Sequence, residues 1–161
     1  MTDLEVRPGL PADLDRLAAI DEQAGVGSPR RIRIDRFLSG AAGRCLVAEV
    51  GGMVVGYVAV VPEHFFGRTF VELLLVARPY RRTGVGAALL RAALAEAARV
   101  PDADAEAEPE AVFTSTNASN APMLALLRRE GWTLSGTLDG LDEGDPEVVF
   151  YRRAPVRGWR L

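Results

Sequence analysis

The spacing of apolar residues along this chain switches between the two-residue period of a strand and the longer period of a helix. Leu4-Glu5-Val6 alternates and predicts a short strand. Pro11 followed by Asp13 marks the first turn of a helix, with Leu14, Leu17 and Ala18 on one face. Residues 28–38 are rich in arginine, with Ile32, Ile34, Phe37 and Leu38 as their only large apolar side chains. They predict a second helix whose register the pattern leaves open.

Residues 45–50 and 53–61 are β-rich runs joined at Gly51-Gly52, a dipeptide that supplies the positive φ angles of a tight hairpin turn. Residues 62–68 then read as a loop, and residues 70–76 as a nearly continuous apolar run broken by Glu72. Such a run predicts a central strand buried on both faces. From residue 84 to 100 the pattern changes to Ala, Leu, Arg and Glu without a breaker, a largely buried helix with Arg91, Glu96 and Arg99 as its main polar residues. Residues 101–110 are acidic, contain two prolines and read as a solvated loop. A strand over 111–115, a helix over 121–130 ending at Gly131, and closing strands over 132–138 and 147–152 complete the order β α α β β β α β α β β. That order predicts a mixed sheet with helices packed on it, one α/β domain over residues 1–161 with no internal repeat.

Composition narrows the function classes. A net charge of -3 gives no general attraction to nucleic acid or an anionic membrane, so neither is expected as a partner. Cys45 is the only cysteine, which rules out an intramolecular disulfide, a cysteine-rich zinc site and a CxxC redox pair, and no metal is expected. The first seven residues carry both acid and base with no apolar run after them, unlike a signal peptide, and no segment approaches the ~20 apolar residues of a bilayer span. The expected location is the cytoplasm.

Chemistry concentrates where the apolar strand meets the long helix. After Val76 comes the short connection Ala77-Arg78-Pro79-Tyr80, then Arg81-Arg82-Thr83-Gly84-Val85-Gly86, then helix. A strand, a glycine-containing turn and a helix aim unpaired backbone N–H groups and the positive end of the helix dipole at one point, which attracts phosphate. Gly84 and Gly86 let the backbone approach an anion, and Arg81 and Arg82 add charge at the rim. A Walker A loop would end in Gly-Lys-Ser or Gly-Lys-Thr, which is absent, and a dinucleotide fingerprint needs a third small residue where Leu89 stands.

Residues 81–86 satisfy the pattern Arg or Gln, two residues, Gly, any residue, Gly or Ala, and downstream Asn117-Ala118-Ser119-Asn120, a helix, and Gly131-Trp132 follow at matching distance. In these features the sequence resembles the GNAT superfamily of acyl-CoA-dependent N-acyltransferases, over nearly its whole length. The resemblance implies a single N-acetyltransferase domain with a mostly antiparallel sheet of six to seven strands and helices on both faces. It implies acetyl-CoA as cosubstrate and an amine acceptor on a small molecule or a protein. The amides of Arg82, Thr83, Gly84, Val85, Gly86 and Ala87 would bind the CoA pyrophosphate beside Arg81. The backbone of Leu74, Leu75 and Val76 would pair with the pantetheine arm, admitted where the strand over 70–76 splays from the strand over 111–115. Asn117 and Asn120 match the family's polar contacts to pantetheine, and an amide near Leu75 or Val76 would polarise the thioester carbonyl.

An alkylammonium must lose a proton before it attacks, and Glu72 is the leading base, four residues before Val76, where several family members carry a catalytic glutamate. A carboxylate in that apolar strand is expected to have a raised pKa. The carboxylate that some protein N-terminal acetyltransferases carry on the next strand is replaced by Ser115. Leu127 stands where many relatives place a tyrosine acid, leaving Tyr80 or Tyr151 as substitutes.

Plainer roles compete for several residues. Glu72 would serve equally as a structural carboxylate, His64 as an exposed loop histidine, and Phe65, Phe66 and Trp132 as core rather than acceptor-side residues. The acidic group Asp139, Asp142, Glu143, Asp145 and Glu147 would attract a cationic amine or simply be solvated, and Trp159 is a candidate contact between two copies in a homodimer. Two other functions fit the same motifs: an acyl-CoA-binding sensor or scaffold without turnover, and a purely structural dimerisation domain that binds no CoA.

Overall fold

A computed structural model describes residues 3–99 and 109–155. The end of the expected long helix at Val100, most of the acidic loop over 101–110, and Trp159 lie outside the described residues. Among the described residues, seven strands form one sheet: β1 (Leu4–Pro8), β2 (Arg44–Val50), β3 (Met53–Phe65), β4 (Arg68–Val76), β5 (Ala111–Asn117), β6 (Thr133–Leu138) and β7 (Glu147–Arg153), in the order β1-β2-β3-β4-β5-β7-β6. The pairs β1/β2, β2/β3, β5/β7 and β6/β7 are antiparallel, and β4/β5 is parallel. Four α-helices, α1 (Leu14–Ile20), α2 (Pro29–Leu38), α3 (Val85–Ala97) and α4 (Ala121–Arg129), complete a mixed α/β architecture whose element order is the one read from the sequence. The described chain groups into two compact units, Met1–Val61 with Leu73–Ala93 and Pro62–Glu72 with Leu94–Leu161.

In the first unit, Pro11–Asp13 forms a single 3-10 turn and α1 begins only at Leu14. Asp13 is held by Arg7 at 2.8 Å and by the Leu10 amide at 2.8 Å, and Arg7 also reaches Glu49 at 2.6 Å. This guanidinium keeps the Asp13 carboxyl below its ordinary pKa and is itself raised by the same hydrogen bond. Ser28 caps α2 by accepting from the Arg31 amide, with Pro29 at the first helical position. The register of α2 is now explicit: Ile34, Phe37 and Leu38 are buried at i, i+3 and i+4, while Ile32 is 57% exposed. They pack with Leu17, Val47, Tyr57 and Ala59 in one apolar core. Asp21, buried at the end of α1, accepts from the Tyr57 hydroxyl and from Arg30, both at 2.9 Å, so its charge is paired inside that core. Burial pushes the Cys45 thiol up to about 12, which makes it a packing residue rather than a nucleophile.

In the second unit, the strand expected to stop at residue 61 continues to Phe65, and the expected loop over 62–68 shrinks to a two-residue turn. Phe66 and Gly67 both have positive φ, 49° and 72°, the conformation of a turn whose twist matches its flanking strands. Phenylalanine is rare at that position, and Pro62 reads as a strand breaker, so the hairpin was concealed. Burial on β5 alternates strictly: Val112, Thr114 and Thr116 are buried, and Phe113, Ser115 and Asn117 are half-buried. The end of α4 is a Schellman motif, in which Gly131 at φ 76° donates to Arg128 O and Trp132 donates to Leu127 O. Thus the Gly131-Trp132 pair is a helix stop with an apolar anchor.

Candidate active site

In the first unit the strand-to-helix connection is a compact turn. Tyr80 N–H returns to Ala77 O, Arg81 N–H to Arg78 O, and Thr83 Oγ1 donates to Tyr80 O at 2.7 Å. Arg81 Nε donates to Val76 O at 3.0 Å, tying the turn to the end of β4, so this arginine holds the loop as well as charging its rim. Arg82 and Gly84 have φ of 64° and 95°. The left-handed geometry is costly for arginine and free for glycine, and it reverses the peptide direction just ahead of α3. Ala88 N–H bonds back to Gly84 O at 3.0 Å, so the amides of Val85, Gly86 and Ala87 occupy the positions where a helix supplies no acceptor of its own. A side chain built at Gly84 meets nothing within 4 Å, so Gly84 itself borders open space. The turn thus offers unpaired backbone donors and the positive end of the α3 dipole.

The end of β4 departs from expectation. Glu72 to Val76 are each half-buried, rather than covered on both faces. Ala77 N–H bonds to Val55 O at 2.8 Å, and Leu75 O lies where a side chain on Gly56 would meet it at 2.8 Å. Backbone groups of successive strand residues point to opposite sides, so Leu75 turns its N–H and C=O toward β3 while Leu74 and Val76 turn theirs away. Gly56 is required here because Leu75 O and Leu89 leave no room for a Cβ.

The second unit carries the remaining residues singled out from sequence. Asn120 caps α4 by accepting from the Met123 amide, and its Nδ2 donates to Thr116 Oγ1 at 3.0 Å. Asn117 donates to Asp142 at 2.8 Å, and Asp145 accepts from the Ser119 amide and hydroxyl, so two of the five acidic residues fasten the connection between β6 and β7. Leu127 is fully buried in α4, which places an apolar core contact where relatives have a tyrosine. Ser115, read as the replacement for a missing carboxylate, donates to Glu147 Oε1 at 2.6 Å, so a carboxylate from β7 reaches that place after all. Nothing in the local sequence around Ser115 could show this, because Glu147 lies 32 residues away. His64 is exposed, and its ring lies 5.8 Å from that of Phe70.

A family model described as the acetyltransferase (GNAT) family matches residues 13–132. The chain belongs to the GNAT acetyltransferase family. As a GNAT protein it is an acyl-CoA-dependent N-acetyltransferase with acetyl-CoA as cosubstrate. A GNAT-family acetyltransferase from Bacillus cereus is similar at 27% identity and a TM-score of 0.79, over 95% of this chain and 99% of the other. Two more distant structures share the fold. Nourseothricin acetyltransferase is 21% identical with a TM-score of 0.71, covering 96% of this chain and 100% of its own. Salmonella typhimurium yncA, solved with its cofactor acetyl-CoA, is 20% identical with a TM-score of 0.70, covering 94% of each chain. No curated protein is similar enough in sequence to count as a match. Among the described residues of this GNAT protein, no group of three or more His, Cys, Asp or Glu could hold a metal ion, and no helix is long and apolar enough to cross a membrane.

Proposed function

We propose that this GNAT protein, as one N-acetyltransferase domain, moves the acetyl group of acetyl-CoA to a primary amine. The reading is carried by the turn before α3, where the amides of Val85, Gly86 and Ala87 precede the first intrahelical bond, Ala88 N–H to Gly84 O. Arg82 to Ala87 hold the pyrophosphate there, with Arg81 and Arg82 supplying charge. Leu74, whose backbone groups turn away from β3, pairs with the pantetheine arm, while Leu75 holds the strand in place and Val76 C=O is held by Arg81. The Val76 amide is the donor for the thioester oxygen. Asn120 keeps one Nδ2 hydrogen beyond its bond to Thr116 and offers it to pantetheine, and Asn117 contributes mainly by fixing the loop beside it.

Bound acetyl-CoA supplies an electrophilic thioester. Glu72 takes a proton from the acceptor's ammonium, directly or through water, because a cation with a pKa near ~10 has no lone pair to donate. The amine nitrogen then bonds to the acetyl carbon as the C–S bond breaks, its second proton passes to solvent or to the departing sulfur, and the thiolate leaves with little need of an acid, since its pKa is about 8.5. Tyr80 and Tyr151, both half-buried, are the two candidate proton sources. The test is spectrophotometric release of CoA thiol from acetyl-CoA in the presence of primary amines. Release that requires an amine supports the reading; acetyl-CoA that binds but is never consumed across a broad panel contradicts it.

A further inference from the structure

Among the described residues, one face of the second unit carries a row of half-buried aromatic rings. Phe65 stacks on Phe70 with ring centroids 5.4 Å apart, Phe65 meets Phe113 at 5.1 Å, and Phe113 meets Tyr151 at 5.9 Å. These rings come from β3, β4, β5 and β7, and all four are half-buried. Directly opposed strand residues share a face, and Phe70↔Phe113 and Phe113↔Tyr151 are opposed pairs, so the rings form one continuous row. The opposite face of β5 is the one buried against the rest of the unit.

Period-two alternation adds charge to the row. Glu72 follows Phe70 on the same face at about 6.7 Å along β4, and Ser115, which follows Phe113, holds the Glu147 carboxylate at 2.6 Å. At the other end stand two arginines, Arg68 two residues before Phe70 and Arg153 two residues after Tyr151 on the antiparallel strand. The result is an aromatic surface of stacked and tilted rings with Glu72 and Glu147 beside one end, while at the other end Glu110 accepts from the Thr69 amide at 2.7 Å.

We propose that this face receives the acceptor, and that the acceptor is an arylalkylamine, with a flat ring lying on the row and an ammonium group reaching Glu72 and Glu147. The inference rests on the acetyl-transfer reading and adds the substrate class. Spacing supports it: one strand step of about 6.7 Å separates the carboxylate from the ring, a distance that an amine two or three carbons from an aryl group bridges. Charge supports it too, because a cation near ring faces and carboxylates is attracted by both. Phe113 is the specificity-determining residue, since it touches both Phe65 and Tyr151. Glu147 positions the ammonium and does not take its proton.

The test compares 2-phenylethylamine with n-propylamine as acceptors for the full chain at saturating acetyl-CoA. The expected result is a kcat/KM at least about 10-fold higher for phenylethylamine, in line with the discrimination an apolar pocket gives to extra buried surface. Phe113→Leu is expected to collapse that ratio toward one, and Glu147→Gln to raise KM for phenylethylamine several-fold with the pH profile of kcat unmoved. Equal use of the two amines by wild type, or a ratio untouched by Phe113→Leu in a variant that melts like wild type, overturns the inference. So does conversion of a dimer to a monomer by Phe113→Leu with the ratio unchanged, because the row then belongs to a second copy. Acetyl-CoA calorimetry on the same preparations separates the two levels: loss of the donor's binding would sink the transfer reading itself, whereas intact binding with no aryl preference sinks only the substrate class.

Discussion

The turn that opens α3 and the aromatic face of the second unit are made of different materials. In the proposed reading the turn binds through main-chain amides beside Arg82 and Gly84 at positive φ, while its side chains brace it, as Thr83 does through Tyr80 O and Arg81 through Val76 O. The aromatic face works through side chains drawn from four strands, and its backbone is ordinary ladder. A backbone-built site should therefore fail when a backbone position is altered or bulk is added, and tolerate side-chain removal. A side-chain-built site should respond to conservative replacements that leave the fold intact.

The sharpest break of that contrast is at Glu72. Glu72→Gln preserves shape and removes only the proton acceptor, so kcat/KM for any amine should fall roughly 10²–10⁴-fold while acetyl-CoA affinity holds, measured by thiol release beside calorimetry. Unchanged turnover would return Glu72 to a structural role. Next in size is Gly56→Ala, which drives a methyl to 2.8 Å from Leu75 O and should cost about 1–3 kcal/mol by urea denaturation. If it costs nothing, the stated close approach of β3 to β4 is wrong.

A third test concerns the frame around the first unit. The pKa of Asp13 is lowered by its bonds to Arg7, so the folded state releases this proton more readily than the unfolded chain does. The stabilisation is full above the unfolded value near 3.8 and is lost as pH falls through the lower folded value. Asp13→Asn should lose about 1–2 kcal/mol at neutral pH, and its urea midpoint should converge with wild type as pH drops below about 4. A constant gap at every pH would contradict the assignment. The smallest expected effect is Arg82→Gly, which relieves left-handed strain worth up to about 1 kcal/mol while removing one rim charge. Its melting temperature should rise slightly and its acetyl-CoA affinity should weaken only a few-fold; a large loss of affinity would mean that the turn depends on side chains after all.

The same contrast explains how much was legible in the sequence. Gly84, Gly131 and the Gly51-Gly52 pair announce backbone geometry locally, because positive φ selects glycine, so the turn before α3, the stop of α4 and the β2–β3 hairpin could be read directly. The element order followed from apolar periodicity for the same reason. The Phe66-Gly67 hairpin was hidden because a phenylalanine holds the position that usually takes Asn, Asp or Gly. The half-buried end of β4 was hidden because an apolar run does not distinguish a covered strand from one that faces a ligand. Neither the ring row nor the Ser115–Glu147 pair has a local signature, since each joins residues brought together only by strand pairing. Asn117 and Asn120 were found by motif, yet their hydrogen bonds show capping and loop fastening that the motif alone did not specify.

The central claim is that the turn before α3 binds the donor through its backbone. Titration calorimetry with acetyl-CoA tests it most directly, on wild type beside a Gly84→Glu, Gly86→Glu double variant that places two carboxylates where the pyrophosphate would lie. The account predicts a saturable wild-type isotherm and a loss of affinity of at least about 100-fold in a variant that still melts cooperatively. Equal binding by the two proteins, or none by wild type, would contradict it.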